Sequence, residues 1–223
     1  MKGWTAGALL AVLAGCATPP PRPAPTAVEA ARPVDSLAAD IAADAKRSDH
    51  ESDARIRDAL AVDAGRAADA CLARAPQAAA CLYGRAVALG LEARAHPSRA
   101  GELLNRMLVS LADAEAADSG YDHAGPARVR ALVLVRAPGW PLGPGDPEAG
   151  LAAARRAAAL QPGYPPNLLA LADAQAKTGD AAGAREGYER ARGAAQGLPD
   201  SADRADWLRE ADEGEHRLAG TQP

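Results

Sequence analysis

The chain of 223 residues carries 48% hydrophobic side chains, only 3% aromatics and no Phe, enough apolar matter for one modest domain or at most two small ones. Side chains this small exclude a barrel or sandwich rich in β-branched and aromatic residues, and the abundance of Ala points to an all-α fold of closely packed helices. A formal charge of −4 and a pI near 5.6 leave no basic surplus for phosphate backbones, which argues against nucleic acid as a partner.

Residues 1–15 read as a secretory signal peptide: Lys2, an apolar run from Ala6 to Ala14, then small residues closing on Cys16. The run is too short to span a bilayer as a mature helix. Leu13-Ala14-Gly15-Cys16 resembles the lipobox of bacterial lipoproteins, which implies cleavage before Cys16 and lipidation of its thiol; the other reading is an ordinary signal with a chance cysteine. Each buried acyl methylene contributes about 0.8 kcal/mol, so the expected state is anchored rather than integral. Ala17 stands where an Asp would retain a lipoprotein at the inner membrane, and the same resemblance then implies the outer membrane, facing the periplasm. Residues 16–33 carry Pro19, Pro20, Pro21, Pro23, Pro25 and Pro33 and read as a polyproline-like tether. A helical domain is expected over 34–220.

Within that domain Gly150, Ala154 and Ala157 recur 34 residues later as Ala184, Tyr188 and Ala191. This is the tetratricopeptide period, and its small, larger, small pattern suits a second helix packed closely under a first. Leu168, Leu171 and Ala172 fall on the apolar face of the partner helix, with Gly179 able to turn left-handed and Asp180 to cap the next helix. Residues 164–195 are therefore expected as a helical hairpin. Upstream, 52–75 reads as a helix closed by Pro76, and 78–94 with 98–117 as a pair broken at His96-Pro97 with Ser98 as cap. Residues 124–137 alternate as a strand would, yet no second strand signal exists to pair with them, so helix is expected, with Pro126 in its first turn. A last amphipathic helix starts at Asp200 or Ser201. The architecture expected is a short solenoid of stacked tetratricopeptide-like hairpins.

Cys71 and Cys81 flank the bend at Pro76. In an exported chain they are disulfide candidates, the alternative being two buried thiols. No HExxH, GxSxG, Walker loop or strand-borne GxGxxG is present, His50, His96, His123 and His216 are scattered, and no metal or cofactor set is visible. Catalysis is not expected. The unusual segment is Ala137-Pro138-Gly139-Trp140-Pro141-Leu142-Gly143-Pro144-Gly145-Asp146-Pro147, too stiff and too long for a tight turn. Two readings are open. Trp140 plugs the loop onto the helices, or it lines a ligand site with Tyr121, His123 and Tyr164, where Arg128, Arg130 and Arg136 offer bidentate anchors for a carboxylate. Arg128 and Trp140 are the leading candidates.

The run GPARVRALVLVRAPGWPLGPGDPEAGLAAARRAAAL, followed by PGYPPNLLALADA, resembles the T component associated with TRAP transporters (TatT), a family of lipoproteins made of atypical tetratricopeptide-like hairpins. The resemblance covers roughly residues 60–195 and is most specific over 124–175. It implies a noncatalytic, all-helical periplasmic protein, able to assemble as a homo-oligomer around a pore, that partners a solute-binding protein in uptake of small organic ligands. The competing function is a scaffold lipoprotein for protein-protein interaction in envelope or secretion-system assembly. A tunnel lined by the 138–147 loop favours uptake, and an open concave groove favours the scaffold.

Overall fold

The computed structural model describes residues 24–220, and over these the chain is all-helical. Ten α-helices succeed one another along these residues: α1 (Ala27–Ala30), α2 (Val34–His50), α3 (Ala54–Arg74), α4 (Ala79–Ala95), α5 (Ala100–Ala117), α6 (Tyr121–Arg136), α7 (Pro147–Leu160), α8 (Pro165–Lys177), α9 (Ala181–Gln196) and α10 (Ala202–Gly220). The expected signal peptide and Cys16 lie outside the described residues.

Helix ends follow local chemistry. Asp53 and Asp180 each accept a hydrogen bond from a backbone N–H in the first turn of the helix they precede, at 2.8 and 2.9 Å. Gly179 takes a φ of +89°, as the turn before α9 requires. Asp146 caps α7, whose first residue is Pro147, and the Ser201 hydroxyl accepts from Arg204 N–H at 3.1 Å ahead of α10. Two local expectations are corrected. Ser98 caps nothing, because Pro97–Arg99 wind into a 3-10 turn and the residue before α5 is Arg99. The stretch read as tether is, from Thr26 onward, a capped turn. Thr26 and Glu29 form a reciprocal capping box, and Arg74 donates to the Ala31 carbonyl at 3.2 Å, holding the turn on α3.

Each helix from α2 onward packs on its successor, and the even-numbered helices also touch one another in sequence, α2 with α4, α4 with α6, α6 with α8, α8 with α10. Among the described residues α3, α5, α7 and α9 make no such contact with one another. The even helices therefore share one surface. The contacts are close because the side chains are small: a Cβ on Gly84 would lie 2.8 Å from Ile41 Cδ1, and one on Gly214 would run into the Tyr188 ring. The positions picked out by the 34-residue offset, Ala154, Ala157, Ala184, Tyr188 and Ala191, are all buried.

Cys71 and Cys81 are joined by a disulfide across the turn between α3 and α4 and are fully buried beside Leu37. Closing a loop of ten residues' separation restricts the unfolded chain by about 2 to 3 kcal/mol. Replacing both cysteines with Ala is expected to lower the unfolding free energy by at least that amount, read from urea titration of wild type and variant; equal midpoints would contradict the assignment.

Candidate functional site

The shared surface of the even helices is concave and encloses a half-open cavity of about 1180 Å³. Its wall comes from α2, α4, α6, α8 and α10, with Tyr188 reaching in from α9. In a chain so poor in aromatics the convergence is informative: Tyr83, Tyr121, Tyr188 and Trp207 all line this space, and Tyr164 packs edge-on against Trp207 at 5.7 Å. Rings that could have been spent on packing anywhere in the core are gathered in one place.

One end is built by an irregular turn. Asp122, His123 and Ala124 occupy left-handed backbone, with φ of 49°, 54° and 63°, a conformation that Asp and His tolerate and Ala disfavours. Arg128 pins it. Its Nη1 donates to the carbonyls of Asp122 and His123 at 3.1 and 3.3 Å, and its Nη2 to the Asp122 carboxylate at 2.7 Å. Asn167, 0% exposed, completes the clamp by accepting from Arg128 at 3.2 Å and donating to the His123 and Ala157 carbonyls at 3.0 and 3.1 Å. Gly125 is required here, since a Cβ would lie 2.7 Å from the Asp122 carboxylate. The carboxylate is thereby held at the cavity edge, where Tyr83 donates its hydroxyl proton to it at 3.0 Å and Tyr83 meets Tyr121 edge to face. Burial pushes the Tyr83 phenol well above its usual range, so Tyr83 stays a neutral donor.

The floor is an ion network on Asp173. It accepts from Arg136 at 2.6 Å, from the Tyr188 hydroxyl at 2.7 Å and from Arg217 at 3.4 Å, while Arg136 also reaches Glu210 at 3.0 Å. Burial alone would ease the proton off Arg136, but Asp173 and Glu210 outweigh it and hold the guanidinium charged. The mouth is spanned by side chains from the first and last long helices. Lys46 donates to Asp203 at 2.5 Å and His50 Nε2 stands 3.7 Å from Asp206, although the backbones of α2 and α10 make no direct contact.

The sequence-predicted ligand residues separate into three groups. Tyr121 and Arg136 line the cavity. Arg128, His123 and Tyr164 form a stack just behind it, with the His123 and Tyr164 rings 4.4 Å apart and the Arg128 guanidinium 5.3 Å from the Tyr164 centroid. Arg128 thus spends its donors on the left-handed turn. Arg130 and Trp140 are outside the lining. Trp140, 91% exposed, neither plugs the loop onto the helices nor faces the cavity. Of the other lining residues, Tyr188 is marked by the 34-residue offset only as a packing position, while Tyr83, Asp173 and Trp207 carry no local motif; Tyr83 and Asp173 meet their partners across 39 and 15 positions. Among the described residues, no group of three or more His, Cys, Asp or Glu side chains is placed to hold a metal ion.

The clamp should be costly to break. Asn167→Ala removes a fully buried amide together with its bonds to Arg128 and to the His123 and Ala157 carbonyls, and a destabilisation of about 1 to 3 kcal/mol is expected by chemical denaturation; a change below about 0.5 kcal/mol would contradict the role given to Asn167. No protein-family model matches the chain, and no curated protein matches it.

Proposed function

We propose that the chain is a noncatalytic binding protein of the bacterial envelope, held at the membrane, outer rather than inner, by a lipidated Cys16, with the concave cavity as its receptacle. The observation that carries this reading is the gathering of three tyrosines and Trp207 with a charged Arg136–Asp173 floor in one solvent-connected space. Apolar walls with a few fixed polar groups are the ordinary makings of a binding site. The helices pair in the manner of tetratricopeptide-like hairpins stacked as a short solenoid, a reading supported by the 34-residue offset and by the unbroken series of contacts among the even helices. The resemblance over 124–175 supports a role beside a solute-binding protein in TRAP-type uptake of small organic ligands.

A second reading has an observation of its own. The cavity is half-open and the 138–147 loop is absent from its lining, which fits a groove that docks a protein segment, and a volume near 1180 Å³ is above the range usual for small-molecule pockets. This is the scaffold lipoprotein of envelope or secretion-system assembly. Affinity capture from native membranes separates the two: recovery of a solute-binding protein is expected, and its absence alongside assembly machinery would promote the scaffold. Labelling with radioactive palmitate should mark the wild type and not Cys16→Ala. Equal labelling of the two would defeat the anchor.

A further inference from the structure

Among the described residues no helix is long and apolar enough to cross a membrane, yet one surface has the chemistry of a membrane contact. From Ala137 to Gly145 nine consecutive residues carry no charge. Pro138, Gly139, Trp140, Pro141 and Leu142 are all exposed or partly so, Trp140 to 91% and Leu142 to 76%. The loop is held in shape. Gly145 N–H donates to the Pro138 carbonyl at 2.9 Å, and Leu142 and Gly143 N–H both donate to the Gly139 carbonyl at 3.1 and 3.2 Å. A Cβ on Gly145 would fall inside the Ala137 carbonyl, and the Leu142 carbonyl rests against Gly101.

We propose that this loop is a lipid-contacting surface that seats Trp140 and Leu142 in the headgroup region of a bilayer. Unpaired backbone polar groups become costly as a segment leaves water for lipid. Here Pro138, Pro141 and Pro144 have no N–H, and those of Ala137, Leu142, Gly143 and Gly145 are already bonded, which leaves the N–H groups of Gly139 and Trp140 to headgroup oxygens. A protein partner would be met by free donors and charges at the rim; a lipid interface asks for their removal and favours an indole with one polar edge. Because the loop is preformed, inserting it orders little.

Position agrees. The α3–α4 turn is short and His96, at the end of α4, stands 3.1 Å from Asp58 near the start of α3, so the start of α3 is level with the start of α5 and with the loop against Gly101. The chain from Glu29, beside Arg66, runs to Ala31, beside Arg74. Followed back toward Ala24 it is therefore heading for that same end. Ala24 lies eight positions after Cys16, so a lipid on Cys16 would sit at most about 28 Å from Ala24. This orientation rests on the proposed anchor; the loop's own affinity does not.

The test uses the chain from residue 16 with Cys16→Ser, so that no acyl group contributes, mixed with phosphatidylethanolamine and phosphatidylglycerol vesicles. Flotation with the vesicles is expected, with tryptophan emission quenched by brominated lipid and the quenching retained in Trp207→Phe. Trp140→Ser with Leu142→Ser should lower the bound fraction about tenfold or more with an unchanged thermal midpoint, since both side chains are in solvent. Three results would overturn the proposal: no flotation above the vesicle-free control, equal flotation of the double variant, or vesicle-independent self-association that the double variant abolishes, which would assign the loop to a second copy. Palmitate labelling reports on the anchor separately, so the two failures are distinguishable.

Discussion

The geometry of this protein depends on how closely its helices approach. With Ala and Gly at the contacts, backbones pack at distances that larger side chains would forbid, and the even helices bring their faces into one continuous wall. Gly84 under Ile41 sets α4 against α2, and Gly214 under the Tyr188 ring sets α10 against α9. At the far end of the series Asp203 and Asp206 of α10 face Lys46 and His50 of α2. The cavity is the space between these helices. Exposed ion pairs of this kind contribute little stability and are screened by salt, so the seam between α2 and α10 is the softest boundary of the site.

Against that economy of size, the polar groups are spent in two places. Arg128 and Asn167 hold three residues in left-handed backbone, and the return is a carboxylate on Asp122 fixed against Tyr83. Asp173 gathers two arginines and a tyrosine from α6, α9 and α10, which ties the far half of the wall together under the cavity. Both devices orient side chains at the lining. They are the means by which a core of small residues supports a site with large ones.

Much of the fold was legible because the signals were local. Gly179 and Asp180 mark a helix end by backbone chemistry alone, and the 34-residue offset named Ala154, Ala157, Ala184 and Ala191 as interior positions, which they are. Of residues 124–137, those from Gly125 to Arg136 are helical, as the want of a pairing strand required, although nothing in Asp122-His123-Ala124 announced the left-handed turn that precedes them. The site was legible only where it lay near the conspicuous loop. Tyr121 and Arg136 line the cavity, but Arg128 reads as a free anchor until Asn167, 39 residues away, is seen beside it. Tyr83, Asp173 and Trp207 enter through contacts between helices. Trp140 drew the eye as a ligand residue for its rarity, yet rarity does not say which way a loop faces.

The receptacle exists because the last long helix meets the first. Spin labels at Ala43→Cys on α2 and Ala202→Cys on α10, in a chain whose Cys16 is Ser and whose Cys71–Cys81 bridge is intact, read that separation directly by pulsed electron resonance. One narrow distance population is expected without any ligand. A broad distribution, as from a row of helices whose ends never come together, would contradict the enclosure.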